Sequence, residues 1–74
     1  MRARTVAIVV FDGVQGLDVF GPADVFYFAN YLARRDGLCA EAATDPYEIV
    51  LVAPTVGPVR TAAGPTLHAQ RRLT

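Results

Sequence analysis

Asp18 is the side chain in this sequence whose type and position most suggest chemistry. It lies between apolar neighbours in the stretch GLDVFGPADVF, residues 16–26. We expect Leu17 and Phe20 to pack into a core and to shield the carboxylate from solvent, and a buried carboxylate needs partners or takes up a proton. Asp18 also lies just past the carboxyl end of the first predicted strand, where open α/β sheets bind ligands. The residue pattern leaves two interpretations open, a local turn cap or a group in a functional site.

The other chemically active side chains have simpler interpretations. Cys39 is the single cysteine, so no intramolecular disulfide forms, and we interpret it as an incidental small residue in a loop. His68 lies in a predicted edge strand with no other ligand-type side chain at metal spacing, so no metal site is predicted. Asp12 and Gly13 are read as the turn after the first strand. No glycine motif for phosphate or dinucleotide binding is present, and no cofactor is predicted.

Charge and composition exclude several classes of function. Seven basic side chains balance seven acidic ones, giving a formal net charge of +0 at pH 7, and no block of like charge exceeds a pair. This balance argues against direct DNA binding by this segment. The apolar run of residues 5–11 is too short to span a membrane. It ends without the small-residue pattern of a signal-peptide cleavage site, so the sequence predicts a cytoplasmic protein with no membrane partner.

Strand patterns occur at three places along the chain. Residues 5–11 (TVAIVVF) are apolar without alternation, which predicts a strand covered on both faces of a parallel sheet. Residues 47–53 (YEIVLVA) predict a second strand. With a helix between them, the two strands predict a right-handed βαβ unit. Short apolar pieces divided by Gly-Pro pairs predict a hairpin at about 59–69, with strands near 59–62 and 66–69.

The helix is predicted over about residues 21–35. Gly21 fits its N-cap, Pro22 the first helical position and Asp24 the third, where free backbone N–H groups favour a carboxylate. The predicted apolar stripe consists of Val25, Phe26, Ala29, Leu32 and Ala33. The predicted polar positions are Asp24, Asn30, Arg34 and Arg35, with Gly37 as the C-terminal cap.

A sheet of two parallel strands under one helix leaves apolar surface uncovered. The sequence therefore predicts that residues 1–74 are the N-terminal part of a larger α/β domain. Tyr27 and Tyr31 are four residues apart on the helix, and we expect them to pack against further chain or a dimer partner.

Two blocks of the sequence carry a family resemblance. VAIVVFDGVQGLDVFGPADVFYFAN and YEIVLVAPTVGPVRTAAGPTLHA resemble the N-terminal half of the ThiJ/PfpI superfamily, whose class I glutamine-amidotransferase-like domain is flavodoxin-like. The pattern F-D-G-x-x-x-L-D-x-x-G-P-x-x-V-F is the more specific part. The sequence is most similar to the ligand-sensing domain of AraC-type (GlxA-like) transcriptional regulators, and FAN at 28–30 favours that branch. Isonitrile hydratases are similar over the same stretch.

The resemblance implies roles for particular residues. In the superfamily an acid at the position of Asp18 hydrogen-bonds the nucleophilic cysteine, whose strand–helix elbow would lie beyond residue 74; Cys39 cannot replace it. The resemblance also implies that Gly13, Asp18 and Gly21 border the ligand.

Three functions follow as expectations. The first is a truncated, non-catalytic domain of an AraC-type regulator, which binds a small metabolite and forms homodimers in the full-length parent. The second is a fragment of an isonitrile hydratase or amidase-like hydrolase, with Asp18 as the acid or base beside the missing cysteine. The third is a short product that neither folds stably nor acts alone.

Overall fold

The chain folds as a mixed α/β protein. A computed structural model describes residues 3–37 and 45–73, and Cys39 lies outside these ranges. The described elements are, in chain order, β1 (Arg4–Val9), α1 (Gly16–Arg35), β2 (Tyr47–Ala53), β3 (Gly57–Arg60), β4 (Thr66–Ala69) and β5 (Arg71–Arg72). The prediction of a strand, a helix and a parallel second strand, followed by a hairpin, is confirmed.

β2 is the central strand of a parallel sheet with the order β1–β2–β5. β1 lies beside β2 from the Arg4–Tyr47 pair to the Val9–Val52 pair, and β5, which was not predicted, pairs only with the last two residues of β2. The antiparallel β3–β4 hairpin forms a second sheet. Within the described residues β1 is thus an edge strand.

The core lies where the carboxyl ends of β1 and β2 meet the start of α1 and the hairpin. Ile8 and Leu51 are partly buried against it. Its members are Val10, Val14, Val19, Ala53, Val59, Leu67 and Ala69. Along β1 itself, Thr5, Ala7 and Val9 are exposed. Within the described residues one face of β1 is thus uncovered, as the sequence predicts for a sheet under a single helix.

The start of α1 differs from the prediction. The helix begins at Gly16 with Gln15 as its N-cap, so Asp18 lies in the first turn and Pro22 lies inside the helix. Proline has no N–H to donate to the carbonyl of Asp18, four residues earlier. The earlier start gains the burial of Val19, which is 1% exposed. Gly-Pro is a good local signal for the start of a helix, but it carries no information about the tertiary contact that buries Val19.

The inward face of α1 matches the predicted stripe only in part. Val25 is 65% exposed and Leu32 is 43% exposed, so their predicted burial is wrong. Asn30, predicted to be on the polar side, is buried. Phe26, Ala29 and Ala33 of the predicted stripe are half-buried, and they share the inward side of α1 with Val19, Ala23 and Asn30. Because α1 carries apolar residues on both sides, periodicity could not decide which side meets the sheet.

The end of α1 is as predicted. Gly37 has φ +69°, and its N–H donates to the Arg34 carbonyl at 3.2 Å, as in a left-handed helix cap. Arg34 forms an ion pair with Asp45. Over residues 3–37 and 45–73, no helix combines the length and apolar character needed to cross a bilayer.

Candidate functional site

Hydrogen bonds fix the loop between β1 and α1 against the hairpin. The Gly13 N–H donates to the Arg60 carbonyl at 2.8 Å, and the Arg60 N–H donates to Asp12 Oδ1 at 3.1 Å. At the next residue of the loop, the Val14 carbonyl accepts a hydrogen bond from the Ala62 N–H at 2.8 Å. The residues that follow the carboxyl end of β1 are therefore held in place by a segment far along the chain.

A crevice of about 240 Å³ opens beside this loop. It lies between the segments that follow β1 and β2, at the edge of a parallel sheet where α/β proteins bind ligands. Its lining consists of Val10, Phe11, Asp12, Ala53, Pro54, Thr55, Pro58 and Val59. The volume is slightly below the range of drug-sized pockets, so it suits a small metabolite.

The crevice combines an apolar floor with a few polar groups. Val10, Ala53 and Val59 are buried and form the floor, whereas the Asp12 carboxylate and the Thr55 hydroxyl are the polar side chains of the lining. Asp12 already accepts the Arg60 N–H, but an ionised carboxylate has room for about four hydrogen bonds. The arrangement can therefore hold a small apolar group whose N–H or ammonium faces Asp12.

Gly13 lies next to the crevice without lining it. Its φ is +92°, a backbone conformation that is unfavourable for residues other than glycine. Beyond Gly13 itself and its two chain neighbours, a Cβ at this position would have no atom within 4 Å. The glycine is thus explained by its backbone angle rather than by crowding, and it sets the direction in which the chain leaves Asp12.

Asp18 and Gly21 lie away from the crevice lining. Asp18 is exposed, and its neighbours Leu17 and Phe20 are 81% and 50% exposed, so the predicted shielding of the carboxylate is wrong. The reason is the earlier helix start, which turns Val19 to the core and its neighbours outward. Gly21 is half-buried within α1 rather than at the N-cap. The catalytic role that the family resemblance implies for Asp18 stays a prediction.

Asp12 is the candidate site residue that the sequence reasoning does not single out. It is predicted to form a turn with Gly13, and the family resemblance implies that this loop borders the site but names only Gly13, although Asp12 follows the first strand directly. The available signal was the rule that parallel sheets bind ligands beyond the carboxyl ends of their strands. That rule was applied to Asp18, which the structure instead places in a helix.

His68 is exposed in β4, opposite Pro58, in agreement with its interpretation as a surface residue of an edge strand. Across the described part of the chain, no three potential ligating side chains come together in a way that could hold a metal ion.

No protein-family model matches the sequence, and no curated protein matches it.

Proposed function

We propose that this chain is the ligand-binding part of a small-molecule-sensing domain of ThiJ/PfpI type, with a flavodoxin-like fold and a cytoplasmic location. The observation that carries the proposal is the crevice at the carboxyl ends of β1 and β2, with Asp12 facing it. The ligand is a small metabolite with an apolar body and a hydrogen-bond donor or cation. In the parent, an AraC-type regulator, binding here is passed on to a DNA-binding domain.

The contact that Asp12 makes supports a role in ligand recognition. Asp12 is the acidic side chain among the described residues that line the crevice. General acid–base and nucleophilic catalysis both need partnered groups within hydrogen-bond reach of one another. Asp12 is instead engaged by a backbone N–H of β3, which suits a fixed recognition group.

Nuclear magnetic resonance of the ¹⁵N-labelled chain tests ligand binding directly. The probes are separate mixtures of fragment-sized alkylamines, amides and carboxylic acids. We expect alkylamines to shift the amide signals of residues 10–13 and 53–59 most strongly, since their ammonium group complements Asp12. Absence of shifts in both segments, or shifts confined to α1, would contradict the proposed site.

A pair of variants separates Asp12 from a general effect of negative charge. Asp12→Asn keeps an acceptor for the Arg60 N–H but removes the charge, so alkylamine binding should fall at least several-fold. Asp36→Asn is the matched control, because Asp36 is also exposed and lies beyond the other end of α1. Equal losses in the two variants would count against a specific role for Asp12.

The gene distinguishes the regulator from the enzyme. Translation of the reading frame past the codon for Thr74 should show a helix-turn-helix domain if the parent is a regulator. A cysteine on a strand–helix elbow without a DNA-binding domain would instead support the hydrolase or isonitrile hydratase.

A further inference from the structure

Two adjacent residues interrupt α1 near its start. Pro22 lies inside the helix and has no N–H for the carbonyl of Asp18, so one helical hydrogen bond is missing there. Gly21 precedes it, and glycine is, after proline, the residue least favourable inside a helix. A Cβ at Gly21 would have no atom within 4 Å beyond its chain neighbours and the nearby helix backbone, so crowding does not explain this glycine. The pair is therefore a weak point of the helix.

The two sides of this weak point are fixed to different parts of the fold. After it, α1 is held at the start of β2, because Asn30 hydrogen-bonds the backbone of Tyr47. Phe26 also meets the Tyr47 ring edge to face, with the ring centroids 5.0 Å apart. Before it, residues 16–20 are held mainly by Val19, the member of this segment that is buried. No side chain of the described residues caps the N-terminus of α1.

Val19 connects the first segment of α1 to the crevice. It belongs to the same buried cluster as Val10, Ala53 and Val59, the residues that form the crevice floor. The described residues that line the crevice include none from α1, so Val19 supports the floor from behind. The state of the first segment and the shape of the floor are thus linked by packing.

We propose that Gly21 and Pro22 form a hinge, about which residues 16–20 open as a unit while the helix from Pro22 onward stays on β2. In the open state Pro22 becomes the first residue of the helix, a position that suits proline because its missing N–H has no partner there in any case. The closed state is therefore less favourable, relative to the open state, than it would be with another residue at position 22.

The hinge transmits occupancy of the crevice to the surface, a step that rests on the proposed function. Opening withdraws Val19 from the cluster beneath the crevice, so a ligand that packs on the intact floor binds the closed state better. Binding then shifts the population towards the closed state. Leu17 and Phe20 are exposed and move with the segment, so their position on the surface reports whether the crevice is filled.

Amide hydrogen exchange of the full chain, resolved by residue with nuclear magnetic resonance, tests the hinge without a ligand. Opening at Pro22 releases the N–H groups of residues 20–25 together, because their helical acceptors are residues 16–21. We expect these amides to share one protection factor, with a rise of at least about tenfold at Phe26, whose acceptor is Pro22. Fraying without a hinge gives a gradual rise instead. A gradual rise, or equal protection throughout α1, would overturn the hinge.

Pro22→Ala tests the cause of the hinge. Alanine restores the hydrogen bond to the Asp18 carbonyl and removes the preference for opening at this position, so the step in protection at Phe26 should disappear. Pro65→Ala, in the turn between β3 and β4, is the matched control and should keep the step. A step that persists in Pro22→Ala would overturn the role of the proline.

Addition of n-butylammonium separates the hinge from the proposed function. If this amine binds only the closed state, ten times its Kd should raise the protection of residues 20–25 about tenfold. A rise confined to Phe26 and later residues would show that the crevice stays intact in the open state, and it would overturn the transmission. Absence of binding would contradict the proposed function and the transmission with it, whereas the step measured without amine still decides the hinge.

Discussion

The side-chain amide of Asn30 bonds both backbone polar groups of Tyr47. Nδ2 donates to the Tyr47 carbonyl at 2.9 Å and Oδ1 accepts the Tyr47 N–H at 2.9 Å. These groups face away from β1, because the preceding Pro46 carbonyl accepts the Arg4 N–H on the side of β1. β5 pairs with this edge of β2 only at the opposite end of the strand. Asn30 therefore replaces a missing strand neighbour and fixes α1 to the start of β2.

A second amide side chain acts in the same way further along β2. Gln70 Oε1 accepts the Leu51 N–H at 2.9 Å, while the backbone N–H of Gln70 donates to the Leu51 carbonyl at 2.8 Å. Satisfying the exposed edge of a strand in this way limits unwanted pairing with another chain.

Replacement of Asn30 by alanine should destabilise the fold. It leaves two backbone groups of Tyr47 without partners in a part-buried position, which costs about 1–3 kcal/mol. Asn30→Asp should also be destabilising, since a carboxylate can accept the N–H but cannot donate to the carbonyl. Urea denaturation at constant protein concentration measures both. The control is Gln70→Ala, whose hydrogen bond is exposed, and we expect a smaller loss. An equal loss in the free energy of unfolding would show that the hydrogen bonds of Asn30 do not fix α1 to β2.

Replacement of Pro22 by alanine should stabilise the protein. Inside a helix, proline removes a hydrogen bond and costs about 3 kcal/mol relative to alanine, so a gain on the order of 1–3 kcal/mol is expected. If Gly21 were instead the N-cap, Pro22 would occupy the first helical position and the change would be nearly neutral. Pro54→Ala, in the turn after β2, is the control and should be neutral or slightly destabilising. Thermal and urea denaturation measure the change in stability of the two variants.

Replacement of Gly13 by L-alanine should lower stability by about 1–3 kcal/mol, because its positive φ strains an L side chain. The chain is short enough for chemical synthesis, which allows a stereochemical control. D-Alanine at the same position accepts positive φ without this strain, so it should not destabilise. Equal losses for the two enantiomers would indicate crowding rather than backbone strain.

The 74-residue chain should not hydrate isonitriles or hydrolyse amides. Asp18 is exposed in the first turn of α1, and the family resemblance places its cysteine partner beyond Thr74. Product formation measured by chromatography should match the uncatalysed rate. Turnover that disappears in Asp18→Asn but persists in Asp24→Asn would contradict this expectation and favour the enzyme.

The features that could be predicted from the sequence depend on neighbouring residues. The apolar run of residues 47–53 matches β2. The predicted hairpin also forms, although its first strand is Gly57–Arg60 rather than residues 59–62. Gly37 ends α1 as a local cap signal should. Strand patterns, turn residues and caps depend on residues within a few positions of one another. They can therefore be predicted without knowledge of the rest of the fold.

Only the tertiary structure decided which groups meet. The start of α1 depends on the burial of Val19. Asn30, a polar residue in the sequence, is buried because its side chain bonds Tyr47, 17 residues away. Asp12 meets the backbone of Arg60, 48 residues away, which moved the candidate site from Asp18 to the loop after β1. Such partners are distant in sequence. The free energy gained when they pack exceeds the small free-energy differences between local conformations on which sequence patterns depend.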